Sequence, residues 1–437
     1  MKTILVVSFI LSVFVFAFAS NEDLQLASQY INAFFGKDFS TAYELQNDMV
    51  KAQLNEQAME QTHQYIIDNY GNPVSVIEIK QQTQDVYQIF VFYMQFEDAY
   101  LNVNVVFDQN KEVARFLIQH APAPSNKPDY ANPDYFDEIE VSFGEEPWII
   151  PGLLTIPKDA KSAPLVIIIG GSGPTDSNGS VGPNQPYRDI AWGLSTNGIA
   201  TLRYDKRTKV YGEKIAKDKI EPTMEFEYIE DIFQAIRFAS EMERFRFSEI
   251  YLAGHSMGTI VTPYVCKNSN FVDGIILLAA PARRLAQISL DQNKYFAPIS
   301  GITEEQLTQI EALFGKLLDH ELPPETIIDP NSNLKASYYY DTDNYQTMVS
   351  LENFNKPVLI LQGEEDFQTL IEKDFYVLKD KFSDRKNFTF KSFDKLNHLF
   401  IETEPGIFHT TEEYRKQGFV DEKVIETIVN WIKINKR

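Results

Sequence analysis

The chain has 437 residues, 44% of them hydrophobic and 23% charged, with a formal net charge of −22. A domain usually takes about 100–200 residues, so this length predicts two, each able to bury an ordinary core. The charge argues against binding nucleic acid or an anionic membrane, which a negative exterior repels; it otherwise reads as solubility, with recruitment of a cationic substrate as the alternative.

The first element is an apolar run from Ile4 to Phe18, preceded by Lys2 and closed by Ala17-Phe18-Ala19. A basic start, a short apolar stretch and a small-x-small end predict a signal peptide over residues 1–19, cut after Ala19, and hence an exported chain, secreted or periplasmic. The run is shorter than the roughly 20 residues of a membrane span, although an uncleaved anchor is the alternative. No later run reaches spanning length, so no stable span is expected after cleavage. Cys266 is the sole cysteine, which excludes an intrachain disulfide and any cysteine-based metal cluster.

Residues 21–120 read as a small α+β unit. Leu24, Ala27, Tyr30, Ile31 and Phe34 recur at helical spacing, and Tyr43, Leu45 and Met49 extend a helical pattern past Gly36. The runs Val86–Phe96, Tyr100–Phe107 and Glu112–Ile118 alternate apolar and polar residues and predict an antiparallel sheet with helices on one face. Nothing catalytic stands out here; His63 and His120 read as structural or exposed. Residues 121–134 open with the Pro-rich stretch Ala121–Pro128 and are expected to be a linker.

From residue 135 the pattern changes. Ile139–Phe143 and Trp148–Ile156 suggest an opening strand pair. Leu165–Ile169, Ile199–Tyr204, Ile250–Ala253, Gly274–Leu278 and Val358–Leu361 are then continuous apolar runs, as parallel strands buried on both faces should be. Helical patterns such as Tyr228–Glu241 separate them, so a doubly wound, mostly parallel sheet is expected.

Gly254-His255-Ser256-Met257-Gly258 directly follows one of these strands and opens a helical segment. A serine raised on a tight strand-to-helix turn needs small flanking residues, and the helix N-terminus below it favours negative charge on its oxygen. Ser256 is therefore the candidate nucleophile; the competing reading is a chance turn. Gly170-Gly171-Ser172-Gly173-Pro174 ends another strand and can aim backbone N–H groups at one point, so the oxyanion hole is assigned to the N–H groups of Ser172 and Met257. A bare turn remains possible there, whereas Walker or dinucleotide spacing is lacking. The acid should follow a late strand: Asp366 is preferred, with Glu364 and Glu365 read as solvated. Of the histidines beyond it, His398 in Leu396-Asn397-His398-Leu399-Phe400 is preferred to His409, which lies in an acidic, turn-rich stretch. The chain order Ser, Asp, His is that of α/β-hydrolases.

On these motifs residues 135–437 resemble the α/β-hydrolase superfamily, specifically bacterial serine esterases with a Gly-Gly-Ser-Gly-Pro-Thr-Asp loop, here Gly170–Asp176. The segments Leu361–Gln368 and Leu396–Phe400, and the strand end Arg203-Tyr204-Asp205-Lys206-Arg207, are similar to that family as well. Thr259, where many relatives have glycine, and Thr208-Lys209-Val210, in place of a glycine-containing turn, depart from it. The region before the linker resembles a small domain of unknown function, which implies a cystatin-like or cone-shaped α+β fold. The resemblance implies a doubly wound α/β-hydrolase sheet and hydrolysis of a small-molecule ester through Ser256, Asp366 and His398, with no metal or cofactor. A peptidase or an amide or acyl-sugar hydrolase on the same triad, and a non-catalytic binding protein, are the alternatives.

Between Leu285 and Tyr345 an insertion interrupts the core pattern and is expected to form a cap over Ser256. Its apolar stripe Leu307, Ile310, Leu313, Phe314 and Leu317, together with Tyr338, Tyr339 and Tyr340, is expected either to line an acyl pocket or to pack on the core.

Overall fold

Alternating apolar residues give residues 73–120 a one-sided sheet. The structure, a computed structural model, describes residues 21–122, 127–158, 160–329 and 332–436; the expected signal peptide and part of the expected linker lie outside the described residues. Helices Asn21–Phe35, Phe39–Glu44, Asp48–Gln53 and Glu56–Tyr70 precede strands β1 (Pro73–Gln84), β2 (Tyr87–Phe96), β3 (Tyr100–Phe107) and β4 (Val113–His120). The strands form an antiparallel sheet in the order β1-β2-β3-β4. Phe90, Phe92, Met94 and Phe96 of β2 and Leu101, Val103, Val105 and Phe107 of β3 fall on one face by the two-residue period, and bury against Tyr30, Ile31 and Phe34.

Helix Glu56–Tyr70 and β1 were not expected from the sequence. β1 explains its own obscurity: Val76 and Ile77 are adjacent and both exposed, and the register with β2 shifts between Val76 and Glu78, so no clean alternation survives. The helical pattern read through Leu45 is also broken, into two short helices capped by the Asp38 and Asn47 side chains.

The second domain is built on β5 (Phe136–Phe143), β6 (Ile150–Pro157), β7 (Ser162–Ile169), β8 (Ala200–Tyr204), β9 (Arg246–His255), β10 (Gly274–Leu278), a short ribbon of β11 (Ile327–Asp329) and β12 (Leu334–Lys335), then β13 (Val358–Gly363) and β14 (Phe388–Phe393). Eight of these strands form one sheet in the order β5-β6-β8-β7-β9-β10-β13-β14, antiparallel at β5-β6-β8 and parallel from β8 to β14. The five continuous apolar runs fall on its parallel strands, with only Ile199 lying one residue ahead of β8. Helices Glu230–Ser240, Gly258–Lys267 and Tyr376–Phe382 cover one face, Pro186–Thr196 and Glu422–Asn435 the other. The strand order turns at β7, with β8 on one side and β9 on the other, and loops at the carboxyl ends there open a crevice.

The insertion adds helices Leu285–Ser300 and Glu304–Leu318, joined by a short turn and packed through a small core of their own. The Thr303 hydroxyl accepts the Gln306 N–H and the Gln306 side chain accepts the Thr303 N–H, a reciprocal cap that fixes where the second helix starts. Phe314 and Leu317 bury against Ala286, Ala336 and Tyr339. Cys266 is sealed in the core under the sheet, where burial pushes its thiol up to about 12.

Candidate active site

Ser256 caps β9 with φ of +53°, a left-handed conformation that costs a non-glycine residue strain and lifts its side chain clear of the sheet. A Cβ on Gly258 would lie 2.6 Å from the Gly170 carbonyl oxygen, and one on Gly254 would lie 2.5 Å from the Thr262 hydroxyl. The flanking glycines are thus required by the strand beside the turn and by the helix that follows it. Thr259 adds support: its hydroxyl donates to the Ser256 carbonyl at 2.6 Å.

The carboxyl ends of β13 and β14 bring Asp366 and His398 together, His398 Nδ1 donating to Asp366 Oδ2 at 2.7 Å. Burial alone would raise the Asp366 carboxyl, but the His398 imidazole, the Thr369 hydroxyl and the Gln368 N–H overcome it and hold the group below the usual carboxylate range. Glu364 instead accepts from the Ser392 hydroxyl, and Glu365 from the Gly406 N–H. His409 has both ring nitrogens engaged, by Glu413 at 2.7 Å and by Glu365 at 3.0 Å. Among the hydrogen bonds of the described residues none joins the Ser256 hydroxyl to His398, a contact of the kind that tightens when substrate binds.

The loop after β7 is held from behind. Lys206 is 3% exposed, and its Nζ lies 3.0 Å from the carbonyl oxygens of both Gly171 and Gly173 and 2.6 Å from Glu227. Burial draws the Lys206 ammonium below its ordinary value, with Glu227 opposing. The Tyr228 hydroxyl also donates to the Gly171 carbonyl, and the Tyr338 hydroxyl donates to Glu227. On the other side the Tyr187 oxygen accepts the Gly171 N–H at 3.0 Å. The N–H groups of Ser172 and Met257 have no acceptor among the described residues, and Gly171 approaches so closely that a Cβ there would be 3.2 Å from that of Ser256.

His255 ties this loop to the histidine. Its Nε2 faces the His398 carbonyl at 2.9 Å, which can only accept, so Nε2 carries the proton. Nδ1 then accepts from the Tyr187 hydroxyl at 3.0 Å. The ring is neutral: burial first, and the nearby His398 second, push it down to about 3.

Ser256, His398, Gly171 and Ser172 line one cavity of about 380 Å³. Its walls include none of the cap residues Leu307, Ile310, Leu313, Phe314, Leu317, Tyr338, Tyr339 or Tyr340. Of the two roles expected for the stripe, the structure realises packing: Phe314 and Leu317 are spent inside the cap, and Tyr338 is tied to Glu227. Conversely His120, read as structural or exposed, lies in the cavity wall. Sequence reasoning missed it because the residue stands in another domain, and missed Tyr187 and Lys206 because their partners are backbone atoms of a distant loop. His255 could have been suspected from its place inside the Gly-x-Ser-x-Gly turn.

A mostly parallel sheet with a left-handed serine at the end of an inner strand, and a carboxylate–histidine pair at the ends of its last two, is an α/β-hydrolase sheet. A family described as serine aminopeptidase, S33, matches residues 178–343, and one described as a protein of unknown function (DUF3887) matches residues 27–116. Esterase EstD of Thermotoga maritima is 32% identical over 438 residues, covering 99% of this chain and 100% of that protein. The chain belongs to the α/β-hydrolase esterase family that includes EstD. Among solved structures, Est1E from Butyrivibrio proteoclasticus is 19% identical with a TM-score of 0.43, covering 67% of this chain and 99% of its own. The Pyrococcus furiosus esterase Pf2001 is 14% identical with a TM-score of 0.43, covering 73% of this chain and 98% of its own. Both are distant.

Proposed function

We propose that the protein is an exported serine carboxylesterase of small to medium acyl esters, with Ser256 as nucleophile, His398 as base and Asp366 as the acid that orients it. The reading is carried by one observation: His398, held from behind by Asp366, and the strained Ser256 border a single cavity at the carboxyl edge of the sheet. His398 takes the Ser256 proton through Nε2 as the oxygen attacks the acyl carbonyl, and Asp366 stabilises the resulting imidazolium. The N–H groups of Ser172 and Met257 receive the tetrahedral oxyanion, each contributing about 3 kcal/mol to the transition state. His398 returns the proton to the leaving alcohol, and water repeats the sequence on the acyl-enzyme.

Ser256→Ala tests the assignment. Loss of nitrophenyl ester hydrolysis and of fluorophosphonate labelling, with an unchanged melting temperature, is expected; full activity in that variant overturns it. Cleavage of amides is the second reading, favoured by the aminopeptidase description of the family matching residues 178–343. A panel of matched esters and peptides separates the two, and faster peptide turnover sinks the ester reading. Export is supported by Lys2, the apolar run to Phe18 and Ala17-Phe18-Ala19. N-terminal sequencing of the mature protein should begin at Ser20, and an intact leader on the purified protein would falsify cleavage.

A further inference from the structure

Strand β4 of the N-terminal domain ends at His120, and His120 borders the same cavity as Ser256 and His398. The first domain therefore contributes part of the wall around the proposed nucleophile. Its neighbour on that wall is Arg415, at the end of the turn Thr411–Arg415. A second cavity of about 160 Å³, lined on one side by the β2–β3 turn and on the other by Pro183 and Gln417, shares His120 and Arg415 with the first. These two residues thus stand where the crevice meets the seam between domains.

Their chemistry is specific. Among the described residues no aspartate or glutamate lines the cavity of Ser256, and Arg415 is its single lysine or arginine. The ion pair of Arg415 with Glu412 is solvent-exposed, the Arg415 side chain being 46% exposed, and one carboxylate does not use up the five donors of a guanidinium. His120 Nε2 is buried and has no hydrogen-bond partner among the described residues, which native proteins seldom tolerate unless a ligand or water completes it. Burial, with the charge of Arg415 adding to it and that of Glu412 opposing, draws the His120 ring below the ordinary histidine value. Glu97 and Asp98 of the first domain border the seam cavity and not that of Ser256. Val181, Pro186 and Leu399 make the intervening wall apolar. A substrate complementary to such a crevice has an ester at one end, an apolar middle and an anion at the other.

We propose that His120 and Arg415 form a recognition pole for a carboxylate at the far end of the ester, so that the N-terminal domain completes the substrate site and selects acidic esters. This rests on the assignment of Ser256 as the nucleophile.

The test compares mono-nitrophenyl adipate with nitrophenyl hexanoate, equal in chain length and differing in the terminal carboxylate, each corrected for its hydroxide-catalysed rate. A second pair, the butanoate ester of a hydroxypentanoate against pentyl butanoate, places the charge on the alcohol side. The ratio of kcat/KM, acid over neutral, should exceed one in at least one pair. In that pair Arg415→Gln should lower the ratio roughly tenfold, as loss of one charge-assisted hydrogen bond implies, and Arg415→Lys should retain part of it. His120→Phe should lower it several-fold. Ratios at or below one in both pairs, or a ratio unmoved by Arg415→Gln, overturn the proposal. A ratio moved by Arg415→Gln but not by His120→Phe overturns the part assigned to the first domain. Ser256→Ala separates the two readings: if it abolishes both hydrolyses while the ratios disagree, only recognition has failed; if it abolishes neither, the nucleophile assignment has.

Discussion

His255 Nε2 donates to the backbone carbonyl of His398 at 2.9 Å, so the residue just before the proposed nucleophile fixes the backbone of the proposed base. Through Tyr187 the same ring reaches the Gly171 N–H, and loop, nucleophile and base become one hydrogen-bonded unit. Tyr187→Phe breaks that unit without removing ring volume. It leaves the Gly171 N–H and His255 Nδ1 unpaired, a loss of about 1–3 kcal/mol in a buried site. kcat on a short nitrophenyl ester should fall roughly ten- to a hundredfold with little change in KM; an unchanged kcat would show that the link carries nothing.

Lys206→Met strips the ammonium from the carbonyls of Gly171 and Gly173 and leaves Glu227 buried without its cation. Breaking a buried pair from one side costs about 3–5 kcal/mol of stability. Adding Glu227→Gln should restore much of the melting temperature, yet activity should stay low because the loop is still unsupported. Recovery of both together in the double variant would assign Lys206 to stability alone.

Gly258→Ala places a methyl group 2.6 Å from the Gly170 oxygen and 2.8 Å from that of Ile169. Neither backbone can retreat without moving the turn under Ser256 or the end of β7. A destabilisation of about 1–3 kcal/mol, with a larger proportional loss of activity, is expected from denaturant melts and ester assays.

His409 supplies a pH dependence away from the catalytic cavity. Burial opposes its protonation, but Glu413 and Glu365 outweigh this and raise it above the ordinary histidine value. A group raised on folding stabilises most below its unfolded value, near 6.5, and loses that contribution as pH rises through the folded value. Melting temperatures measured across this range should carry a downward component that His409→Gln removes. Identical profiles for the two proteins would contradict the ion-pair account.

Phe314→Ala should cost about 3–5 kcal/mol, the usual penalty for emptying a buried aromatic site, because the ring packs on Tyr339 inside the cap. Acyl chain-length preference should stay where it was, since the ring lines no part of the Ser256 cavity. A changed preference would restore the acyl-pocket role expected from the amphipathic stripe.

What the sequence discloses follows from the range of each signal. The parallel strands are legible because burial on both faces demands unbroken apolar runs, and Ser256 because steric crowding forces glycine at two fixed offsets. Chain order leaves Asp366, Glu364 and Glu365 equivalent, and only family likeness separates them; in the structure Asp366 is the one of the three that bonds to His398. β1 is obscure because its apolar residues face solvent and its register slips, which removes the period that marks a half-buried strand. Lys206 and Tyr187 act on main-chain groups of a loop distant in sequence, which every residue possesses, and His120 reaches the cavity wall from the other domain, so no local pattern advertises them.

The sealed position of Cys266 makes the protein convenient to instrument. With its sulfur inside the core and its thiol held up near 12, the native chain offers no ready thiolate to maleimides or iodoacetamides at neutral pH. A cysteine introduced on the outer surface of either domain becomes a unique attachment point for a fluorophore or spin label. With one such site on each domain, distances across the seam can be followed during turnover without first engineering a background free of sulfhydryls.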